Sequence, residues 1–566
     1  MNRNVNSRFA YNPSVEMSRS KMPMNHDLKT SFNVGQLIPL GTPLEVLPGD
    51  TWQMDTSFVA RMQTLLNPIM DNIYLDTYFF FVPNRLVWTH WKEFCGENTE
   101  SAWIPQTEYS IPQITSPSGG WNANSIACYF GIPQGVENLS VSALPFRAYA
   151  KIVDDWFRSE VVNDPLNIPL GDSTQTGTNG NSFVNDIANG GAPYIGAKYF
   201  DLFTGCTPSP QKGPDVTIEV GTFDGHVFGN GKALGLTNGT GFAGLENGSS
   251  GLLAMVNGFG ADVSNSGTDQ GSALTYSNLG IPTKEQLTDL AGASYDDTGL
   301  VVEMDGLNVI TINQLRQAFQ IQKFYEKQAM YGSRYIEVLK SMFGVTSPDA
   351  RLQRSEYLGG HRINVNIQSV SNTGSSGLAE QGAYSVTSDT HSDFTHSFTE
   401  HGYIIGLCIA RYDHTYQQGI NKTFLRKTKF DYYWPVFANL GNQAVKNAEI
   451  FAQGSAEKNP DTGVAYDDEV FGYQEAWYDY RYIPSLCTGE MNSAYSTSLD
   501  PWHLGDFYES LPTLSSGWLQ EDKTNVDRTL AVTSEVSNQM FADFYFDTKV
   551  TRVMPLYSIP GLIDHH

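Results

Sequence analysis

The chain has 566 residues, with 35 Lys and Arg against 60 Asp and Glu, and a formal net charge of -25. So acidic a molecule is excluded from wrapping nucleic acid with its whole surface, because that binding depends on Lys and Arg neutralising phosphates. Charged residues make up only 17%, whereas Phe, Tyr and Trp number 31, 29 and 10, a bias that suits β structure and surfaces covered by a partner.

The first thirty residues form a polar arm in which Arg3, Arg8, Arg19, Lys21 and Lys29 face only Glu16 and Asp27. Two readings stay open for it: a solvated flexible terminus, or an internal arm touching DNA phosphates or a neighbouring subunit. Ser31 to Leu40 and Tyr74 to Val82 then read as strands, closed by Gly41-Thr42-Pro43 and Pro83-Asn84. Pro145 to Glu160 is predicted helical. Phe146, Tyr149, Ile152, Val153, Trp156 and Phe157 make its apolar face, and Arg147, Lys151, Asp154 and Asp155 lie away from it.

From about Gly171 to Gly299 the character changes. This stretch holds about half of the glycines and no arginine, and it is dense in Asn, Ser, Thr and Asp. It reads as an inserted, loop-rich surface subdomain, with disorder as the alternative, since a structureless connection of that length does not suit a compact domain. A second helix is predicted from Thr311, where Thr311-Ile312-Asn313-Gln314 has the form of a capping box. Gly332 should break that helix and Gly344 should end the next one. Tyr403 to Arg411 and Met540 to Val550 alternate as strands; in the latter Ala542, Phe544, Phe546 and Val550 share one face. Early and late strands separated by long excursions suggest a sandwich whose sheets mix both ends of the chain.

Sites for chemistry are not expected. The five cysteines (Cys95, Cys128, Cys206, Cys408 and Cys487) are far apart and form no CxxC pair, so neither a disulfide framework nor a zinc site is predicted. Met1-Asn2-Arg3-Asn4 lacks the apolar core of a signal peptide, and no apolar run would span a bilayer. Gly239-Thr240-Gly241-Phe242-Ala243-Gly244 matches GxGxxG but lacks the strand and helix that a dinucleotide site needs. His391, His396 and His401 are spaced by five, which on a strand turns His396 away from the other two, so they are expected at surfaces or interfaces rather than around a metal. Asp467-Asp468-Glu469 reads as a solvated acidic turn and Asp154-Asp155 as helix surface. No catalytic, cofactor or metal residue is assigned. A divalent cation such as calcium at subunit interfaces stays open, because hard cations prefer oxygen ligands.

Several blocks carry a resemblance. They are Phe79-Phe80-Phe81-Val82-Pro83-Asn84-Arg85-Leu86-Val87-Trp88 with Trp91-Lys92-Glu93-Phe94, and Leu144-Pro145-Phe146-Arg147-Ala148-Tyr149 with Trp156-Phe157-Arg158. Tyr331-Gly332-Ser333-Arg334-Tyr335 and Pro348-Asp349-Ala350-Arg351-Leu352-Gln353 follow, then Tyr416-Gln417-Gln418-Gly419, Phe471-Gly472-Tyr473-Gln474-Glu475-Ala476-Trp477 and Pro560-Gly561-Leu562-Ile563-Asp564-His565. Together, and in this order, they resemble the major capsid proteins of the Microviridae, in particular the gokushovirus branch.

The resemblance implies a mainly β fold: a single eight-stranded antiparallel jelly roll of the viral capsid type with long loops, a few helices and a large surface insertion. It implies a non-enzymatic subunit of a sixty-copy, T=1 icosahedral shell around circular single-stranded DNA, built in the bacterial host cytoplasm. The expected division is a basic arm over 1–30, a jelly-roll core over 31–170 and 300–566, and an insertion over 171–299 that projects at the threefold axes for host attachment. Arg3, Arg8, Arg19 and Lys21 are the candidate nucleic-acid contacts. Expected partners are other copies of the chain, the packaged DNA, a small basic DNA-packaging protein, minor or pilot capsid proteins and a host receptor. A β-rich carbohydrate-binding or glycan-cleaving protein and a viral spike are the rival readings.

Overall fold

The structure, a computed structural model, describes residues 18–99, 107–216, 312–373 and 381–557, with the backbone of short strands between 226 and 303. The chain divides into two compact units: Met1–Pro214 with Lys323–His566, and Asp215–Gln322.

The first unit is built on two antiparallel sheets. The strands are β1 (Ser20–Pro23), β2 (His26–Phe32), β3 (Ile38–Pro39), β4 (Leu44–Val46), β5 (Thr51–Met62), β6 (Ile73–Pro83), β7 (Glu356–Asn364), β8 (Thr387–Ser397), β9 (Gly402–Tyr412) and β10 (Met540–Arg552). In one sheet β1 and β2 pair in succession with β10, followed by β5 and β8. In the other, β3 and β4 pair in succession with β9, followed by β6 and β7. Each sheet therefore has four strand positions, and each mixes strands from both ends of the chain.

Alternation explains the packing. In β5 the even residues Trp52, Met54, Thr56, Phe58, Ala60 and Met62 are buried, and in β10 Met540, Ala542, Phe544, Phe546, Thr548 and Val550 are buried. The register sets Phe544 opposite Phe58 and Ala542 opposite Ala60, so these faces join one core with Ile73, Leu75, Phe79 and Phe81 of β6. The central strands of the second sheet are buried on both faces. Phe80 and Val82 of β6, with Ile405, Leu407 and Ile409 of β9, turn into a second core against helix α1 (Leu144–Ile152). Tyr149 of α1 donates a 2.6 Å hydrogen bond to the Leu37 carbonyl, tying helix to sheet. This double burial explains why Tyr78 to Val82 is so continuously apolar in sequence.

Several expectations need correction. Helix α1 runs on through a wider turn at Val153–Phe157, yet Arg147 does not face water. It is fully buried and donates to the carbonyls of Val87 and Gly171, at 3.2 and 3.0 Å, because loops cover that side of the helix. Asp155 is also buried, accepting from Lys151 and from the backbone and hydroxyl of Ser355. The sheet begins at Ser20, inside the stretch expected as an arm, because Met22 and Leu28 alternate inward on strands that pair with β10. The unit boundary falls at Asp215 rather than Gly171. Glycine-rich loops before it carry Ile187, Tyr194, Leu202 and Phe203, which are buried in the first unit.

Helix α2 (Ile312–Tyr331) follows the expected course, although Thr311 of its capping box lies outside the described residues. Gly332 and Gly344 both take left-handed φ, +92° and +68°, where the two helical segments stop. Among the described residues the second unit contains three antiparallel strand pairs: His226–Gly229 with Leu300–Glu303, Gly235–Thr237 with Phe242–Gly244, and Glu246–Asn247 with Leu253–Ala254. Phe242–Gly244 of the GxGxxG run form one of these strands, and strand rather than helix follows it; the run's first three residues lie outside the described residues. Among the described residues no helix is long and apolar enough to cross a membrane. All five cysteines are free thiols.

Candidate functional site

The segment from Asn421 to Leu440 is short on regular structure and rich in exposed apolar side chains. Phe424 is 81% exposed and Val436 87%, with Phe430, Tyr432, Tyr433, Trp434 and Leu440 also open. The backbone beneath them is held firmly. Asn421 caps a helical turn by accepting from Thr423 N at 2.9 Å. Asp431 accepts from Lys427 N and Thr428 N at 2.7 and 2.6 Å, and these N–H groups hold its carboxyl below the usual range. Arg426 forms an ion pair with Asp479 and lies over the rings of Tyr432 and Tyr480. Trp434 donates through Nε1 to the Lys429 carbonyl. A fixed loop that directs large apolar groups into water is the signature of a surface awaiting a partner.

Of the expected nucleic-acid contacts, Arg3 and Arg8 lie outside the described residues. Arg19 and Lys21 are both exposed, at the start of β1, with Lys21 opposite Thr551 of β10. Neither makes an ion pair among the described residues. Lys29 differs: Asp27 at 3.1 Å and Asp543 at 3.6 Å engage its ammonium. The structure thus places Arg19 immediately before β1 and Lys21 on it, and leaves Lys29 committed to acidic neighbours.

The expected separation of the histidines does not hold. A bulge at Asp393 resets the alternation of β8, so His391 pairs with Thr56 and His396 with Trp52, two residues on the same buried face of β5. His396 packs on Phe398, and His401 on Trp91. His391 sits among acids, with Asp389 at 2.8 Å and Asp393 at 3.0 Å. Burial opposes its charge, but the bonds to Asp393 and Asp389 outweigh burial and raise its pKa. Asp467, Asp468 and Glu469 are each engaged locally: Asp467 by Gln453 N and Gly454 N, Asp468 by Lys446, and Glu469 by Asn459 and Thr462.

Two buried ionic clusters were not foreseen. Asp76 in β6 accepts from Arg362, Arg411, Tyr199 and Tyr78 at 2.6 to 3.0 Å. The signal was present: a lone carboxylate in the apolar run Ile73 to Pro83 demands partners. His414 lies between Asp506 and Glu521, each at 2.9 Å, and Asp506 also meets Lys198 at 3.2 Å. No local pattern announces this cluster, because its members come from four separate segments.

Comparison with known proteins agrees with this architecture. Residues 10–562 match the Capsid protein (F protein) family. The chain is 40% identical to capsid protein VP1 of Spiroplasma virus 4, over 96% of this chain and 95% of that protein. It is 38% identical to capsid protein VP1 of Chlamydia phage 1, over 99% and 98% of the two chains. Capsid protein VP1 of Bdellovibrio phage phiMH2K is 36% identical, over 98% and 97%. With its antiparallel sheets and this match across nearly its whole length, the chain belongs to the Capsid protein (F protein) family of the Microviridae.

Proposed function

We propose that this chain is the major shell-building subunit of a T=1 icosahedral virion, assembled in the host cytoplasm around circular single-stranded DNA. The strand order carries the reading. The β1/β2, β10, β5, β8 sheet faces the β3/β4, β9, β6, β7 sheet, and this is the order expected of a single eight-stranded jelly roll, which makes a rigid wedge for a closed shell. The apolar segment from Asn421 to Leu440 is the assembly surface. In closed symmetry each contact recurs around the particle, so modest pairwise energies accumulate. Capsid naming of the relatives supports a structural rather than catalytic role.

The second unit, Asp215–Gln322, is the reading for the outward insertion that attaches to the host. Copies meeting on a symmetry axis would strengthen weak receptor contacts through multivalency. A basic packaging protein and minor capsid proteins fit an acidic shell subunit, which has few cations of its own for phosphates. Sedimentation and electron microscopy of the expressed chain test the central claim. Closed shells are expected; a monomer under all assembly conditions overturns it. Deleting the second unit should leave shells that no longer adsorb to the host. Shells that adsorb normally would remove attachment from that unit.

A further inference from the structure

β7 and β8 are the outer strands of opposite sheets, so no ladder of backbone hydrogen bonds joins them. They nevertheless approach closely. A Cβ at Gly359 of β7 would stand 2.2 Å from the Asp393 carbonyl of β8, which is why glycine is needed there. Beside this crossing His361 of β7 meets Asp389 and His391 of β8. Asp389 Oδ2 lies 3.3 Å from His361 Nε2 and 2.8 Å from His391 Nδ1. One ligand atom from each residue falls within 4.8 Å of the others, and the imidazole rings are 4.4 Å apart.

We propose that His361, Asp389 and His391 form a binding site for a zinc-class divalent ion that bonds the two sheets together at their open edge. Two imidazoles and a carboxylate are the donor set of such ions, whereas calcium and magnesium prefer all-oxygen sites. Metal–ligand bonds of about 2.0–2.2 Å place tetrahedral ligand atoms roughly 3.4 Å apart, within the spread seen here. The outer shell is in place as well. His391 turns its other nitrogen, Nε2, to Asp393 Oδ1 at 3.0 Å, and Asp393 is itself buried and accepts from the Thr56 hydroxyl. A carboxylate behind a ligating histidine fixes its ring and aims the opposite nitrogen at the ion. His361 is the exposed member, its side chain 43% open, and provides the entry path. The fourth position is left for water or for a donor from a neighbouring copy.

The site is tested by titrating Zn²⁺ into the purified full-length chain against a chromophoric chelator, with thermal melting of the same samples. One Zn²⁺ per chain is expected, with a rise in Tm and no displacement by excess Ca²⁺ or Mg²⁺. His391→Ala and His361→Gln should each weaken binding by at least tenfold, and Asp393→Asn by about 10- to 100-fold. His396→Gln, on the same strand face, should bind as the parent does. His361 is exposed, so His361→Gln keeps the test decisive if His391→Ala fails to fold. Zn²⁺ binding unchanged in His361→Gln, or no stoichiometric binding by the parent, overturns the assignment.

Discussion

Arg411 of β9 places Nη2 2.6 Å from Oδ2 of Asp76 in the neighbouring strand β6, on the face turned away from the core between the sheets. Arg362 of β7, directly opposite Asp76 in the ladder, supplies a second bond at 2.6 Å. One carboxylate therefore ties three adjacent strands. Burial opposes its charge, but the two guanidinium groups prevail and keep its pKa below the usual value.

Removing that carboxylate strands Arg411, whose side chain is mostly buried. Asp76→Ala is expected to cost about 3–5 kcal/mol, the usual penalty for breaking a buried pair from one side. Denaturant unfolding of the purified chain measures it. A loss below about 1 kcal/mol would mean that water satisfies the arginines instead.

Stability should depend on pH through His414. Burial opposes its charge, but Asp506 and Glu521 outweigh burial and push its pKa up to about 9. Its contribution is complete below the unfolded value of about 6.5 and is lost as pH rises through about 9. Asp506 is shifted the other way: burial raises it, but His414 and Lys198 together hold it well below the usual carboxylate range. Its contribution is present above about 3.9 and fades as pH falls further. Tm followed across pH should decline on the alkaline side for the parent. His414→Gln should melt lower at pH 6 and show a flatter alkaline limb; an unchanged limb would place the dependence elsewhere.

Assembly and folding should separate at Val436. It is among the most exposed apolar residues described and packs on little within its own chain. Val436→Asp is expected to change monomer stability by no more than about 0.5 kcal/mol, as surface substitutions do, while sharply reducing shells in sedimentation. Normal shell yield would exclude this segment from the interface.

The basic residues at the chain start should govern DNA content. Replacing Arg3, Arg8, Arg19 and Lys21 by Ala is expected to lower packaged DNA more than shell number, with a weaker salt dependence of DNA retention. The ratio of ultraviolet absorbance at nucleic-acid and protein wavelengths in purified particles reads this directly. An unchanged ratio removes these residues from the mechanism.

What the sequence alone determined was local or collective. Period-two burial placed β10 and β9, because alternate side chains must face opposite sides of a sheet. Left-handed glycines at 332 and 344 marked helix ends, and the ordered family blocks identified the shell-protein lineage. What only the tertiary structure decided depended on segments that meet after long excursions. Arg147 is buried because loops near Val87 and Gly171 close over its helix. His391 and His396 share a face because one extra residue at Asp393 resets the strand. His361 reaches Asp389 and His391 only because two sheet edges converge. Spacing along a chain records neither a bulge nor the register between strands, so these relationships were fixed by folding rather than legible beforehand.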